Sequence, residues 1–494
     1  MTMKYDRGAS CVTAVYTQGL GPLQRDNPLI EALPEVQSRE QLAENLRCEI
    51  SYQETDITLS AEKRSILVSA LYQYFAPWEL HVTLAQNIYS TICDGYINRN
   101  PMTNAYQESI RQVRTAVQER DANFTSCYFA ANNPVSSSFS VIGYSGMGKS
   151  SSVRNILSQI PQIIQHEEYQ NHPLPETQIT WMYVECPHDG SVKGLCQMFL
   201  MEFDRLIHSN TASKYGAGAR VSTNQLITQI AMLARRYHLG VLVIDEIQDI
   251  RAARGKTQQE IIQFLIQLVN MIQIPIILIG TPPAVQVLQS NTMLGRRFPT
   301  KCYFDLPSED QQEWKILCKS MFGTQWTKNR TRLTKELAHE LFAASYGLTS
   351  SAIMMCVEAQ REAIRQGGDE LITPDMIRAL ANRPDFRAFR QRLDSIRSME
   401  QAAQISGDCA TLSWGRNIRA LDVKDVLPMQ AQAPKADELL QKDATSDSNE
   451  ANSSKQKKRK PSMNRKKKEQ LENGYEQLKS EGLIGDLDAD LLNP

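Results

Sequence analysis

Short apolar segments alternate with segments of helical periodicity through the middle of the chain. The almost continuously apolar segments lie at residues 139–142, 179–184, 240–244 and 274–279. Such a run predicts a strand that is buried on both faces, as in a parallel sheet. Between the last two runs, apolar residues recur at helical spacing, for example Ile261, Leu265 and Leu268. This alternation predicts an α/β fold in which helices flank a mostly parallel sheet on both faces.

Helical periodicity dominates on either side of this α/β segment. Residues 60–93 predict one or two amphipathic helices, and Asp94-Gly95-Tyr96 predicts a turn after them. Nearer the N-terminus, residues 25–34 predict an extended, proline-bounded segment that either docks on a partner or packs on its own domain. Beyond the α/β segment, a small helical lid is predicted, with helices at residues 311–322, 334–346, 348–366 and 373–382.

These patterns divide the 494 residues into four parts. We expect a mostly helical N-terminal region at 1–120, the α/β domain at 121–306, the helical lid at 307–400 and a C-terminal extension at 401–494. The composition of residues 430–470 is rich in Gln, Ala, Ser, Asp and Lys, which predicts disorder in that stretch.

Charge is distributed unevenly along the chain. The formal net charge is −1, but nine Lys and Arg lie between Lys455 and Lys468 without any acid, so the remainder carries about −10. Outside this basic run, any contact with nucleic acid must therefore be local. The run itself is suited to bind DNA phosphates, and the alternative interpretation is a solubilising linker.

The cysteines and the apolar segments favour a cytoplasmic location. Ten cysteines are scattered without a C-x-x-C pair or zinc-like spacing. The sequence shows neither a secretory signal nor an apolar run of membrane-spanning length. We therefore expect a reduced, cytoplasmic protein that does not contact a membrane.

A glycine-rich segment follows the first apolar run and precedes a helical pattern. It reads G-Y-S-G-M-G-K-S at residues 143–150, which is the spacing G-x4-G-K-S. In such a loop, backbone N–H groups surround phosphates, the lysine reaches the outer phosphates and the serine hydroxyl ligates Mg²⁺. A chance glycine-rich turn is the alternative, and the flanking strand and helix count against it. The residues expected to bind the nucleotide are Gly143, Ser145, Gly146, Met147, Gly148, Lys149, Ser150 and Ser151.

Polar residues end the third and fourth apolar runs. Asp245 is placed to hold Mg²⁺, and Glu246 to polarise the water that attacks the γ-phosphate. The alternative for this pair is a helix start, where acids favour the N-terminal dipole. Thr281 ends the fourth run, where its hydroxyl would sense the γ-phosphate or orient the water, unless it is a plain strand-end threonine.

An arginine pair, Arg296 and Arg297, follows well beyond these motifs. In an oligomer, such an arginine can reach the γ-phosphate of the neighbouring subunit and stabilise the charge that is being transferred. The alternative is a surface pair that binds an acidic neighbour. We expect one of the two to act on the neighbour, and the sequence does not choose between them.

The motifs together resemble a known class. G-Y-S-G-M-G-K-S, L-V-I-D-E-I-Q, L-I-G-T-P and G-R-R-F, followed by a helical lid, resemble the AAA+ ATPase module with its P-loop. The segments E-C-P-H-D-G-S at 185–191, D-E-I-Q at 245–248 and I-G-T-P at 279–282 are similar to those of the TnsC/TniB transposition regulators. Residues 25–34 and G-Y-I-N-R-N-P at 95–101 are similar to the N-terminal region of the longer TnsC proteins. The resemblance extends over residues 14–385.

This resemblance implies an ATP-dependent regulator of DNA transposition. Such proteins hydrolyse ATP with Mg²⁺, assemble as rings or helical filaments on double-stranded DNA, receive a target selector of the TnsD or TniQ type, and activate the transposase subunits TnsA and TnsB. By resemblance, the N-terminal region would meet the selector and the C-terminal tail would meet the transposase.

Residue roles follow from the same resemblance. Lys149 and Ser150 would bind phosphate and Mg²⁺, Asp245 would hold Mg²⁺, Glu246 would activate water and Thr281 would be the first sensor. Initiator-type members insert a DNA-facing element after the acidic strand. The DNA-binding candidates in this sequence are Lys193, Arg251, Arg254 and Lys256.

The sequence departs from the AAA+ pattern at one place in the lid, and two other functions remain as alternatives. Many AAA+ lids carry a sensor arginine, whereas the corresponding stretch here is Gly347-Leu348-Thr349-Ser350. A helicase-loading ATPase of the replication-initiator type is the first alternative, because it shares the module. The second is a scaffold that binds ATP and scarcely hydrolyses it, against which the intact Asp245 and Glu246 argue.

Overall fold

A computed structural model describes most of the chain up to residue 391. The described residues are 11–19, 21–48, 50–104, 106–108, 111, 137–215, 221–252, 261, 263–266, 269, 274–289, 292–384, 386–387 and 391. The basic run at 455–468 and the predicted disorder at 430–470 lie outside them.

The central element is a parallel sheet of five strands. The strands of both sheets are, in chain order, β1 Cys11–Thr13, β2 Phe139–Gly143, β3 Ile163–Tyr169, β4 His172–Ile179, β5 Trp181–Glu185, β6 Val241–Asp245, β7 Ile276–Gly280 and β8 Thr300–Phe304. The five-stranded sheet has the order β5-β6-β7-β2-β8, and all of its neighbours are parallel. The four apolar runs are β2, β5, β6 and β7, so the predicted parallel sheet is confirmed. β8 was not among the predictions.

A second, three-stranded sheet was not predicted. It has the order β1-β3-β4, in which β3 and β4 form an antiparallel hairpin. The hairpin turns at Gln170 and Asn171, whose φ angles of 48° and 63° are those of a two-residue turn that matches the strand twist. The prediction of one strand beginning at Ile179 is therefore wrong at its start, because Ile179 ends β4 and β5 begins at Trp181.

Helices surround both sheets. The α-helices of the described chain are α1 Pro28–Glu31, α2 Arg39–Leu46, α3 Ala61–Leu67, α4 Glu79–Ile97, α5 Lys149–Leu157, α6 Val192–Ile207, α7 Thr211–Tyr215, α8 Thr223–Arg236, α9 Pro282–Gln289, α10 Thr292–Arg297, α11 Gln312–Gly323, α12 Lys335–Ser345, α13 Thr349–Gln366 and α14 Pro374–Ala381. Shorter 3-10 helices lie at Glu54–Thr58, Val68–Gln73 and Ile247–Ala252. The four predicted lid helices are confirmed as α11 to α14. Thr373 caps α14 by accepting a hydrogen bond from the N–H of Met376 at 3.2 Å.

Two local predictions in the N-terminal region are wrong. Asp94, Gly95 and Tyr96 lie inside α4 rather than in a turn. Gly95 serves close packing, since a Cβ there would lie 2.6 Å from the Pro275 side chain. Residues 25–34 are not extended throughout, because Asn27 caps α1 by accepting a hydrogen bond from the N–H of Leu29 at 3.1 Å. This segment packs on its own domain, which was one of the two alternatives.

The hydrophobic clusters extend across the predicted domain boundaries. Leu29 and Ile88 of the N-terminal region pack in one cluster with Val141 and Ile277 of the sheet. Another cluster joins the 3-10 helix Val68–Gln73 to the lid helices. The N-terminal region therefore contacts both the α/β domain and the lid, and the fourfold division of the chain stays a prediction. Among the described helices, none is both long and apolar enough to cross a membrane.

Candidate functional site

The glycine-rich loop lies between β2 and α5, as its sequence context predicts. Gly146 and Gly148 have φ angles of 86° and 82°, which residues with a Cβ rarely adopt. Gly148 is the N-cap of α5, so the loop leads directly into a helix whose first N–H groups have no partners within the helix. This arrangement suits a bound phosphate, because N–H groups and the helix dipole both favour an anion.

Lys149 is held in the loop by burial and one hydrogen bond. Its side chain is 7% exposed, and its Nζ donates to the carbonyl of Tyr144 at 2.8 Å. Burial lowers the pKa of Lys149 to about 8, while the charges of Glu246 and Asp245 act in the opposite direction. The ammonium group is thus poorly solvated, and an arriving phosphate would supply a stronger partner than the carbonyl.

Asp245 ends β6 in a buried position, 3% exposed. Its Oδ1 accepts the N–H of Glu246 at 2.8 Å, and its Oδ2 accepts the hydroxyl of Tyr183 from the neighbouring strand β5. The side chain of Ser150 lies near enough to the Tyr183 hydroxyl to lower its pKa, so both predicted Mg²⁺ ligands lie beside one hydroxyl. That convergence fits a divalent cation held by one carboxylate, one hydroxyl and nucleotide phosphates.

Tyr183 was missed in the sequence. Burial and the contact with Asp245 raise the pKa of its hydroxyl, so it remains a hydrogen-bond donor. The guanidinium of Arg154 lies 4.4 Å from its ring centroid and pairs with Glu185 at 2.9 Å. The available signal was a polar-tipped residue near the carboxyl end of an otherwise apolar strand. Its partner could be identified only from the register, which sets Glu185 beside Asp245.

Glu246 and Thr281 are brought together by a third residue, Gln248. The carboxylate of Glu246 accepts a hydrogen bond from Gln248 Nε2. Gln248 Oε1 in turn accepts the backbone N–H of Thr281 at 3.1 Å. The predicted water-activating carboxylate and the predicted sensor are therefore linked through one carboxamide, and the sequence prediction assigned no role to Gln248.

The lid touches the phosphate loop directly. At the start of α13, the N–H of Ser350 donates to the carbonyl of Gly146 at 3.0 Å. This is the stretch in which the sequence lacks a sensor arginine. A backbone hydrogen bond therefore connects the lid to the loop at this point.

Arg296 and Arg297 end α10, immediately before β8. Arg296 is exposed, whereas Arg297 is half-buried and its Nη1 has no hydrogen-bond partner. Among the hydrogen bonds of the described residues, none joins either arginine to the phosphate loop or to Asp245. Their predicted role in a neighbouring site stays a prediction.

Two of the four DNA-binding candidates lie on adjacent segments. Lys193 is exposed at the start of α6, and Arg251 lies in the 3-10 helix Ile247–Ala252. His188 Nδ1 and Asp249 Oδ2, 2.8 Å apart, join the loops that carry them. Arg254 and Lys256 lie outside the described residues. In the described parts of the chain, no group of three or more His, Cys, Asp or Glu residues could hold a metal ion by itself.

A family model matches the part of the chain that contains the phosphate loop, Asp245, Glu246 and Thr281. Residues 136–288 match a family model described as an AAA domain. The solved structures that resemble the chain include the Walker-type ATPase Paby2304 of Pyrococcus abyssi, with 12% identity, a TM-score of 0.35, and coverage of 60% of this chain and 76% of that one. A comparison with curated protein sequences finds no match.

Two further structures have similar statistics. The Orc1 protein of Aeropyrum pernix, solved in complex with DNA, has 14% identity and a TM-score of 0.36, with coverage of 55% of this chain and 63% of that one. Cdc6p of Pyrobaculum aerophilum has 13% identity and a TM-score of 0.32, with coverage of 56% and 66%. The chain thus spans less than two thirds of both proteins.

The family match and the strand order together identify the fold, and the family match also identifies the activity of the domain. The chain has an AAA+ P-loop fold with a five-stranded parallel sheet flanked by helices. It carries an ATP-binding ATPase domain.

Proposed function

We propose that this chain is an ATP-dependent, DNA-binding regulator of DNA transposition of the TnsC/TniB type, which links a target-selection protein to the transposase. The observation that carries the DNA-binding part is the adjacency of the loops after β5 and β6. Glu185 pairs with Asp245 in the sheet, so the segments leading to Lys193 and Arg251 start side by side at the nucleotide-binding edge. Motifs similar to those of TnsC and TniB support the transposition part.

The site residues take the following roles in this proposal. Lys149 binds the outer phosphates within the loop formed by Gly143, Ser145, Gly146, Met147, Gly148, Ser150 and Ser151. Ser150 and Asp245 would hold Mg²⁺, which would neutralise charge on the phosphates. Glu246 accepts the proton of the attacking water, and Thr281 contacts the γ-phosphate.

Oligomerisation completes the site in this proposal. Arg296 or Arg297 reaches the γ-phosphate bound by the next subunit of a ring or filament. A mixing experiment tests this: an Arg296→Ala/Arg297→Ala variant and a Glu246→Gln variant, each inactive alone, should regain ATPase activity when mixed. The first supplies an intact Glu246 and the second supplies an intact arginine. Failure of every mixing ratio to restore activity would count against action in trans.

The DNA surface can be tested by its salt dependence. Removal of one phosphate contact should weaken duplex binding at any sequence and lower the slope of log K against log salt by about 0.9 per contact. We expect this for Lys193→Ala and Arg251→Ala. The matched control is Lys63→Ala, an exposed lysine on α3, which packs against the lid. An equal effect of the control would show nonspecific charge loss instead of a defined surface.

The two macromolecular partners are assigned to opposite ends of the chain. The N-terminal region binds the target selector, and the tail beyond residue 400 binds TnsA or TnsB. Deletion of the tail should abolish capture of the transposase subunits while ATPase activity is retained. Capture by the truncated protein would refute the assignment of the tail.

Electron microscopy with duplex DNA tests the whole proposal. Rings or filaments are expected with a non-hydrolysable ATP analogue and not with ADP or without nucleotide. A nucleotide-independent monomer that prefers single-stranded DNA would refute the proposal and favour a helicase loader. Wild-type-like assembly by Glu246→Gln without hydrolysis would separate binding from turnover.

A further inference from the structure

We infer that Gln248 is a positioning residue that couples contact at Thr281 to the orientation of Glu246. This inference rests on the proposed roles of those two residues in ATP hydrolysis. Gln248 lies two residues beyond Glu246, at the start of the 3-10 helix Ile247–Ala252. It is half-buried, whereas Glu246 is exposed.

Both ends of the Gln248 carboxamide are used. Its Nε2 donates to the Glu246 carboxylate, and its Oε1 accepts the N–H of Thr281 at 3.1 Å. A carboxylate at position 248 could keep the second contact but not the first, because ionised carboxylates only accept hydrogen bonds. An asparagine would be one methylene shorter and could not span both partners. Glutamine is thus the residue whose length and polarity suit this bridge.

The backbone at Glu246 is also constrained to one conformation. Glu246 has a φ of 56°, a left-handed conformation that residues with a side chain adopt at some cost. It is maintained by the N–H of Glu246 donating to Asp245 Oδ1 at 2.8 Å and by the N–H of Asp249 donating to the Glu246 carbonyl at 2.9 Å. The left-handed residue turns the chain sharply at the end of β6. The turn brings Gln248 back toward Thr281.

The carboxamide of Gln248 lies close to the backbone at the end of β7, where the neighbouring residue is a glycine. A Cβ on Gly280 would lie 3.2 Å from Gln248 Oε1 and 2.6 Å from the Ile247 side chain. The Oε1 atom therefore follows the position of the β7 end. Any shift of Thr281 toward or away from a bound γ-phosphate is passed to the Nε2 group and from there to Glu246.

In the structure, the Glu246 carboxylate is engaged by Gln248 as well as exposed to solvent. One of its oxygens is held, which leaves the other to accept a proton from water. Loss of the Nε2 donor would let the Glu246 side chain sample other rotamers. Substrate binding depends on the phosphate loop and would be unaffected, so the defect should lie in turnover.

The test compares ATP hydrolysis by full-length Gln248→Ala, Gln248→Glu and wild-type protein. We expect kcat of Gln248→Ala to fall about tenfold, a part of what a general base contributes, with KM for ATP within twofold of wild type. In a Glu246→Gln background, Gln248→Ala should cause no further loss, because Gln248 acts through Glu246. Gln165→Ala, an exposed glutamine of β3, is the matched control and should keep wild-type kinetics.

Gln248→Glu separates the two ends of the carboxamide. The variant is isosteric and keeps an acceptor for the Thr281 N–H, but an ionised carboxylate cannot donate to Glu246. Its kcat should therefore fall as in Gln248→Ala, with KM for ATP little changed. Wild-type kcat in either variant would overturn the inference. If the wild type showed no hydrolysis that depends on Glu246, the proposed function and this inference would both fall.

Discussion

The buried ion pair between Arg64 and Glu370 offers a sharp test of how the N-terminal region is attached to the lid. Both side chains are 2% exposed, and Arg64 Nη2 donates to Glu370 Oε1 at 2.8 Å. Arg64 also donates to the carbonyls of Leu59 at 3.1 Å and Trp326 at 2.7 Å. The hydrogen bond to Glu370 raises the pKa of Arg64, which therefore stays charged. The perturbation is Glu370→Gln, which removes one charge and keeps the shape.

The expected cost follows from the burial of the remaining charge. Loss of one partner of a buried pair costs about 3–5 kcal/mol, because the other charge is left without compensation in a poorly solvated place. The N–H of Lys328, which donates to Glu370 Oε2 at 2.9 Å, keeps an acceptor in the variant. The Lys328 side chain is 59% exposed, and its ammonium lies 3.7 Å from Glu370 Oε1, so the loss of this ion pair contributes little to the cost.

Urea unfolding followed by tryptophan fluorescence measures this loss. Trp314 and Trp326 are each 1% exposed and belong to the lid cluster, so their emission reports on the affected region. With an m value of about 3 kcal/mol per M, the midpoint should fall by about 1–1.7 M. The control is Glu362→Gln, whose partner Arg365 is 72% exposed and whose loss should cost under about 1 kcal/mol.

The double variant Arg64→Met/Glu370→Leu decides whether the reasoning holds. Replacement of both charges by apolar groups removes the desolvation penalty together with the attraction. The carbonyls of Leu59 and Trp326 and the N–H of Lys328 lose their side-chain partners in this variant, so it should still be less stable than the wild type. We expect it to lose less stability than the single variants Arg64→Met and Glu370→Leu lose together. The account is wrong if Glu370→Gln matches the Glu362→Gln control, or if the double variant loses the sum of the losses of Arg64→Met and Glu370→Leu.

Three further predictions concern the nucleotide site. Burial lowers the pKa of Lys149 to about 8, so the free protein loses this charge as the pH rises through 8. ATP affinity, measured by titration calorimetry, should then fall by up to about tenfold per pH unit in the wild type. It should not fall in this way in Lys149→Met. Tyr183→Phe leaves the Asp245 carboxylate one donor short, so thermal unfolding should show a loss of about 1–2 kcal/mol that added Mg²⁺ and ATP largely recover; an equal loss with and without them would contradict the shared site. Gly146→Ala places a Cβ 2.5 Å from the Ser350 hydroxyl and puts a side chain on a residue whose φ is 86°, so both effects should destabilise the protein. A second substitution, Ser350→Gly, should restore only part of the lost stability, because the backbone strain at position 146 remains.

The sequence was most informative where a structure depends on neighbouring residues alone. The buried strands β2, β6 and β7 are continuous apolar runs, and the phosphate loop has a fixed spacing, so both could be predicted. The hairpin of β3 and β4 could not, because its strands carry polar residues such as Gln165, Glu167 and Glu176 in a small sheet that does not share the central pattern. β8 lies at a sheet edge and begins with two exposed residues before the buried Cys302 and Phe304, which makes a weaker signal than a continuous apolar run.

The candidate site shows the same division. Lys149, Asp245 and Glu246 belong to motifs whose spacing is local. Tyr183 reaches Asp245 only because β5 and β6 are adjacent and in register, and Gln248 reaches Thr281 only because of the left-handed turn at Glu246. Neither condition can be read from spacing. The predicted turn at residues 94–96 is wrong for a related reason. Gly95 allows the side chain of Pro275, which is distant in sequence, to pack closely against α4.

The N-terminal region is attached at both ends of the nucleotide-binding unit, and this constrains how it can respond to ATP. Asn155 of α5 donates to the carbonyl of Leu46 at 2.8 Å, which ties the last residue of α2 to the helix that follows the phosphate loop. Some twenty residues later, Arg64 is anchored on Glu370 of the lid. A change in the angle between lid and sheet would therefore act on the stretch between Leu46 and Arg64, which connects these two attachments. A partner bound to that short stretch would sense the nucleotide state without touching the nucleotide.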